Sequence, residues 1–396
     1  MILIDNPYVS DFLIDTIKKN HLKIIATSEA KSLIPDPSLN WIDESEAINI
    51  LKNKKNVSIY SNSENSINWV DENLGFTNLP NQIQLFKNKV KFRELIQELY
   101  PHYFFKSVKF NELKTIDIHE LEFPFIIKPA IGFFSIGVYK VESETDWDNV
   151  LTKLYAEITE LKNVYPKQVI DVSDFIIEEY IEGDEYAVDC YFNNEGEPVI
   201  LNILHHVFSS GKDVSDRVYT TSKEIILKHK DNMQQFLNLL GKKADLINFP
   251  IHIEIRINNQ QKIYPIEVNP LRFGGWCTTA DLTWYAYKFN SYEYFLNNKK
   301  PDWNHIFETH KNKLYSLVAL NNNSGIKDSE IESFNFEKLL KDFENPLNLR
   351  EFDFRKYDMF GMLFTETSYG NETELTEILT SDLKKYINLK EHSNAF

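Results

Sequence analysis

Three short runs in the middle of the chain hold the residue types that metal-assisted phosphate chemistry needs. The first is IHIEIRINNQQKIYPIEVNP, residues 251–270: two alternating apolar runs around the polar turn NNQQ, the pattern of a β-hairpin. A four-residue loop, Asn259 to Lys262, pairs Asn258 with Ile263, and the same register sets Glu254 opposite Glu267. Strand side chains alternate faces, so His252, Glu254 and Arg256 share one face, and Glu267 and Asn269 join it across the ladder. Two directly opposed carboxylates lie ~5 Å apart at Cβ, which is repulsive unless one takes a proton or a cation sits between them. Glu, Glu and an amide oxygen make an all-oxygen set, suited to Mg²⁺ that also carries nucleotide phosphates. The plainer alternative is an exposed hairpin with a chance charge cluster, softened by Arg256.

The second run is KPAIGFFSIGV, residues 128–138. Gly132 and Gly137, with four residues between them, begin a phosphate-loop pattern, but Val138 and Tyr139 stand where that loop needs Lys and then Ser or Thr. The lysine comes ahead of the glycines, as Lys128 at the end of the apolar run FPFIIKP. The third run is FIIEEYIEGDEY, residues 175–186. In an unbroken strand Glu178, Glu182 and Asp184 share one face and Glu179 and Glu185 the other; Gly183 is placed to break it.

The elements around these runs predict an α/β protein. ILID, LKIIAT and VSIY read as strands, with YVSDFLIDTIKK and ESEAINILKN as helices between them, which implies a parallel, doubly wound sheet. No GxGxxG follows the first strand, so this Rossmann-like unit lacks a dinucleotide fingerprint. NQIQLFKNKVKFRELIQELY predicts one helix ended by Pro101, and SETDWDNVLTKLYAEITEL an amphipathic one with Trp147, Val150, Leu151, Leu154, Ile158 and Leu161 at helical spacing. From 175 the pattern turns to strands, and 305–396 reads as a mixed α/β tail.

The 396 residues allow two or three domains, and 42% hydrophobic content supplies their cores. A net charge of −16 argues against a nucleic-acid binder. Two distant cysteines, Cys190 and Cys277, suggest neither a disulfide framework nor a zinc knuckle. Without a signal-peptide pattern or an apolar run long enough for a membrane span, the expected compartment is the cytoplasm.

Taken together, the three runs resemble the ATP-grasp superfamily. Their spacing is similar to the D-alanine–D-alanine ligase branch: nine residues from Lys128 to Gly137, seven from Glu178 to Glu185, thirteen from Glu254 to Glu267. The resemblance covers about residues 85–300. It implies an N-terminal Rossmann-like domain over 1–85, a small lid subdomain over 86–180, a large subdomain over 181–304 and a C-terminal extension over 305–396. It implies ATP with Mg²⁺ or Mn²⁺ as cofactors. Lys128 and Lys89 would bind phosphates, with Asn88 where the family usually has Asp. Gly132, Ser135 and Gly137 would cover them. Glu178, Glu179 and Ile181 would hold adenine, and Glu185 the ribose; Glu254, Glu267 and Asn269 would hold the metal. His252 stands where the similar ligases have arginine.

Arg272, in NPLRFGG, would bind a substrate carboxylate or acyl phosphate by its bidentate geometry. Lys212, in the polar loop SSGKDVSDR, would place a cation near the γ-phosphate, and Arg217 is a candidate for a second carboxylate. His205 and His206 read as core or edge histidines. The implied activity is ATP-dependent ligation of a small-molecule carboxylate to an amine through an acyl phosphate. A phosphotransferase on the same fold and a non-catalytic ATP-binding regulator are the alternatives. Nucleic-acid and membrane partners are not expected; the tail leaves room for a homodimer contact.

Overall fold

The first apolar runs pair in parallel. Ile2–Leu3 lies between Ile24–Ile25 and Tyr60–Ser61, and Trp41–Ile42 adds a fourth strand beyond Ile24–Ile25. That fourth strand is too short to leave a periodicity in the sequence. The helix Asp11–Lys19 follows the first strand, capped by the Ser10 side chain accepting from the Leu13 N–H. The helix Glu44–Lys52 follows Trp41–Ile42. The computed structural model describes residues 1–54, 57–132, 137–161, 171–210, 215–310 and 312–390. Ser135 and Lys212, and the Phe133–Phe134 pair beside Ser135, lie outside the described residues.

The predicted helix before the Gly loop is two helices. Leu79–Lys87 ends at Asn88, and Lys89–Ile96 starts from it. Asn88 has extended backbone, φ −90° and ψ 107°, and its side chain accepts from the N–H groups of Val90 and Lys91. An N-cap of this kind restarts a helix in a new direction. It also explains why Asn stands where an Asp would serve: both cap. Lys89 becomes the first residue of the second helix.

A small antiparallel sheet follows, in the order Phe105–Lys109, Asp171–Glu179, Phe125–Ile131, Tyr139–Val141. The helix Trp147–Leu161 buries Trp147, Val150, Leu151, Leu154 and Ile158, the stripe its spacing predicts. With Phe125, Ile127 and Phe175 these form a core of their own.

The large sheet has eight strands. Its order is Ile263–Pro270, Phe249–Ile257, Asp184–Phe192, Pro198–Val207, Val218–Thr221, Lys313–Asn321, Met359–Ser368, Asn345–Glu351. The tail predicted as a mixed α/β extension therefore supplies three strands to one edge of it. The N-terminal sheet and much of the large sheet share one core. Tyr60 packs on Phe273 and Tyr292 with ring centroids 5.3 and 5.1 Å apart, and the Ser61 N–H donates to the Leu271 carbonyl at 2.8 Å. The chain just after the hairpin, at Leu271 and Phe273, is thus fastened to the N-terminal sheet. Among the described residues no helix is long and apolar enough to cross a membrane.

Candidate active site

The hairpin forms with Glu254 directly across from Glu267 and His252 across from Asn269. The turn differs from expectation. Ile257, not Asn258, pairs with Ile263, and the Asn258 N–H bonds to the Lys262 carbonyl. A bulge between Glu254 and Ile255 on the ladder, where Ile255 meets Pro265, adds the residue that restores the glutamate pair. Glu254 and Glu267 remain 30% and 21% exposed at the side chain, open to the cleft. Burial, then Glu267 and Glu185, push the Glu254 carboxyl well above the usual range, with Arg272 opposing. A cation between the pair would remove that penalty. The Asn269 Oδ1 is buried with no hydrogen-bond partner among the described residues, an acceptor in want of a donor or an ion. Two open carboxylates and an orphaned amide oxygen on one face fit a divalent cation.

The Asn88 break sends neighbouring lysines to different places. Lys87 pairs with Glu64 Oε2 at 2.5 Å, whereas Lys89 Nζ reaches Glu267 Oε2 at 3.5 Å and the Gly132 carbonyl at 3.3 Å. Burial lowers the Lys89 ammonium pKa despite Glu267. Glu64 also takes the NH2 group of Arg272 at 2.6 Å. Although burial opposes it, Lys87 and Arg272 hold the Glu64 carboxyl far below the usual range. Arg272 gives NH1 to the Phe273 carbonyl at 2.9 Å, and its buried Nε has no partner among the described residues.

Glu178 is enclosed by cations. Arg93 Nε donates to its Oε2 at 2.7 Å and Lys128 Nζ to its Oε1 at 2.6 Å, while Arg93 NH1 reaches the Pro265 carbonyl of the hairpin. Beyond Glu179, whose N–H bonds to the Phe104 carbonyl, the strand ends and a new one begins at Asp184. The linker is pinned where the Ile181 carbonyl accepts from Arg256 NH1 at 2.7 Å. Glu185 faces the cleft side of the next strand, held by Arg256 Nε at 3.0 Å and His206 Nδ1 at 3.0 Å. Burial works against its ionisation, but His206 and Arg256 together lower its pKa. In the Gly loop, Gly137 has φ +69° and its N–H points at Glu157 Oε1.

Lys128, Lys89, Gly132, Glu178, Glu185, Glu254, Glu267, Asn269 and Arg272 are therefore gathered where the small sheet, the hairpin of the large sheet and the N-terminal region meet. Residues 121–280 match the family model described as an ATP-grasp domain. The chain carries an ATP-grasp domain. Solved structures share its architecture well beyond that segment. An L-amino acid ligase from Bacillus licheniformis superposes with a TM-score of 0.69 at 15% identity, covering 98% of each chain. N5-carboxyaminoimidazole ribonucleotide synthetase from Thermotoga maritima gives 0.63 at 15%, again over 98% of each. A biotin carboxylase from Campylobacter jejuni gives 0.61 at 13%, over 93% of this chain and 87% of the other. At these identities the likeness is one of fold. No curated protein matches the chain by sequence.

The same cluster includes residues that no local pattern marked. Glu64, Arg93 and Asp189 come from separate elements and meet Arg272, Glu178 and His252 only through the fold. His206 is buried on Glu185 and stacked on Tyr219 at 4.2 Å, so the histidine read as a core residue supports the proposed ribose acid. Arg217 NH1 turns to the carbonyls of Ile378 and Ser381 in the C-terminal region. Arg256 holds Glu185 rather than softening the glutamate pair.

Gly183 in the linker has φ +131°, and a Cβ there would stand 2.3 Å from the Ile257 carbonyl oxygen. Gly183→Ala must move the linker against the hairpin, at a cost of ~1–3 kcal/mol. The expected result is a thermal midpoint several degrees lower; an unchanged midpoint would mean the approach is slack.

Proposed function

We propose that the chain is an ATP-dependent ligase joining a small-molecule carboxylate to an amine, with an amino acid as the favoured substrate class. The observation that carries this reading is Lys89, whose ammonium faces both the Gly132 carbonyl at 3.3 Å and Glu267 at 3.5 Å. One cation thus touches the start of the Gly loop and the carboxylate pair, where a polyphosphate carrying a divalent cation would lie. The likeness along nearly the whole chain to an L-amino acid ligase supports the substrate class.

In this reading Lys89 and Lys128 bind phosphate oxygens, and Gly132, Ser135 and Gly137 cover them. Glu178, Glu179 and Ile181 line the adenine site; both Glu178 oxygens already accept, but a carboxylate has room for a further donor. Glu185 meets the ribose, and Lys212 adds a cation near the γ-phosphate. Glu254, Glu267 and Asn269 would hold Mg²⁺ or Mn²⁺, which when bound neutralises phosphate charge and polarises the γ-phosphoryl group. A substrate carboxylate oxygen attacks the γ-phosphorus, the bond to the bridging oxygen breaks, and ADP leaves behind an acyl phosphate. The amine nitrogen then attacks the acyl carbon, and phosphate departs with the former carboxylate oxygen. The proton lost by the amine goes to phosphate or solvent. Arg272, fixed on two sides with Nε to spare, orients the carboxylate.

The test is ADP release with Mg-ATP from amino acids supplied singly and in pairs. Release that needs both a carboxylate and an amine, with an amide product by mass spectrometry, is the expected result. A stable phosphorylated product from one acceptor alone would replace ligation by phosphotransfer.

A further inference from the structure

The turn that carries Arg272 is held at its far end by the C-terminal region. Trp276 (φ 56°, ψ 28°) and Cys277 (φ 58°, ψ 22°) are consecutive residues in the left-handed region, and Leu271, just before Arg272, has φ 62°. None of the three is glycine, so each conformation is sterically costly and needs support from outside the turn. For Leu271 the support is the Ser61 N–H, which donates to its carbonyl at 2.8 Å. For Trp276 it is Arg350. Arg350 NH1 donates to the Trp276 carbonyl at 3.0 Å, and NH2 pairs with Asp281 Oδ2 in the first turn of the helix Thr278–Tyr287. The pair is buried, with 8% and 1% of the two side chains exposed, and the Tyr292 hydroxyl donates to the other Asp281 oxygen at 2.8 Å. One planar guanidinium thus spans the strained turn and the helix that follows it. Phe352, two residues beyond Arg350, and Tyr8 pack on the Trp276 ring, with centroids 5.4 and 5.9 Å away. Between Arg272 and Trp276 the turn is drawn in at Gly274, where a Cβ would stand 2.3 Å from Thr279 Oγ1. Gly275 is exposed, and a Cβ there would meet Arg272 NH1 at 3.9 Å.

From this geometry we infer that Arg350 is a positioning residue for Arg272. The C-terminal region fixes the Trp276 end of the turn, and so the place of the guanidinium that receives the substrate carboxylate. The inference rests on the reading of Arg272 as the partner of that carboxylate. It gives the strand Asn345–Glu351, at the outer edge of the large sheet, a part in substrate binding that needs no contact with substrate. Glu64 then holds Arg272 from the N-terminal side, and Arg350 holds the turn from the C-terminal side. A lysine at 350 could neutralise Asp281, but a single ammonium on a flexible stem does not reproduce the fork that grips two fixed acceptors. Once that grip is lost the turn can leave its left-handed angles, and Arg272 moves with it. A misplacement of ~1 Å in a group that orients substrate costs up to ~10²-fold. Lys89 and Lys128 stand on the helix Lys89–Ile96 and the strand Phe125–Ile131, so ATP binding does not run through this turn.

The test is steady-state ADP release by the full chain with Mg-ATP, using the pair of proteinogenic amino acids that releases most ADP. In Arg350→Lys the KM for the amino acid that supplies the carboxylate should rise ~10–100-fold, while the KM for ATP stays within about threefold. A change that only loosened the fold would lower kcat through the folded fraction and leave both KM values where they were. That result, or both KM values rising together, overturns the inference. Arg350→Gln combined with Asp281→Asn removes the ion pair as a whole and strands no buried charge, so it serves where the lysine variant does not fold. Its carboxylate KM should rise as well, and an unchanged value overturns the inference. Arg272→Lys is measured beside them. No rise in carboxylate KM in that variant, or no ADP release from any pair, overturns the reading of Arg272 and the inference with it. A rise in Arg272→Lys without one in the Arg350 variants overturns the inference alone.

Discussion

Glu267→Gln is expected to reduce ATP turnover by at least ~10²–10³-fold while leaving the chain folded. The side chain keeps its shape and is partly open to the cleft, so no cavity forms. Two electrostatic changes follow, and they oppose each other. Lys89 loses the partner at 3.5 Å that offsets its burial, whereas Glu254 loses the like charge directly across the ladder. The unfolding midpoint without metal should therefore move by less than about 4 °C. What should disappear, in the proposed reading, is the stabilisation that Mg²⁺ or Mn²⁺ with ATP would confer on the wild type by binding the folded state. Thermal scans with and without the ligands, beside an ADP-release assay, separate the two effects. Turnover near that of the wild type would remove Glu267 from the metal site.

Those acids were legible in the sequence because their spacing sits within one hairpin. The reading reached the correct pair through two departures that cancel. The loop is one residue longer than NNQQ suggests, and the bulge near Pro265 adds one back on the returning strand. A Pro cannot donate to the ladder, which is a physical reason for irregular pairing there. Gly183 was legible for the same local reason, since a strand cannot run through its backbone angle. The break at Asn88 was not, because apolar spacing continues across it from Phe86 to Val90 and only the cap geometry separates the helices. Least legible were the residues that act across sequence. Glu64 reaches Arg272 over 208 positions and Asp189 reaches His252 over 63. Nothing in ENS or AVDCY announces such a partner. The tail was opaque for a related reason. Its strands pair with Val218–Thr221 and with one another, a register that no adjacent segment fixes.

Glu178→Gln is expected to be the most destabilising single change in the cleft, by ~3–5 kcal/mol, because it leaves two buried cations without their anion. Arg93 belongs to the helix Lys89–Ile96, Lys128 to the strand Phe125–Ile131, and Glu178 to the strand between Phe105–Lys109 and that one. The triad therefore ties the small sheet to the helix that presents Lys89, and through Arg93 NH1 to the hairpin at Pro265. Burial would raise the Glu178 carboxyl, but Arg93 and then Lys128 overcome it and bring its pKa down to about 2 from an ordinary value of 4.5. A folded-state pKa below the unfolded one gives stability that is fully present above pH ~4.5 and is lost as pH falls toward ~2, of order 3 kcal/mol in all. Glutamine cannot titrate, so the variant should lack that component of the acid loss while starting from a lower plateau. The two unfolding curves, followed by denaturant titration from pH 7 downward, should converge near pH ~2. Curves that stay parallel would show that Glu178 carries no buried charge. A variant as stable as the wild type at neutral pH would show that Arg93 and Lys128 find other partners. Convergence together with a raised KM for ATP would tie the anion to the placement of Lys128, since that lysine loses its only carboxylate partner among the described residues.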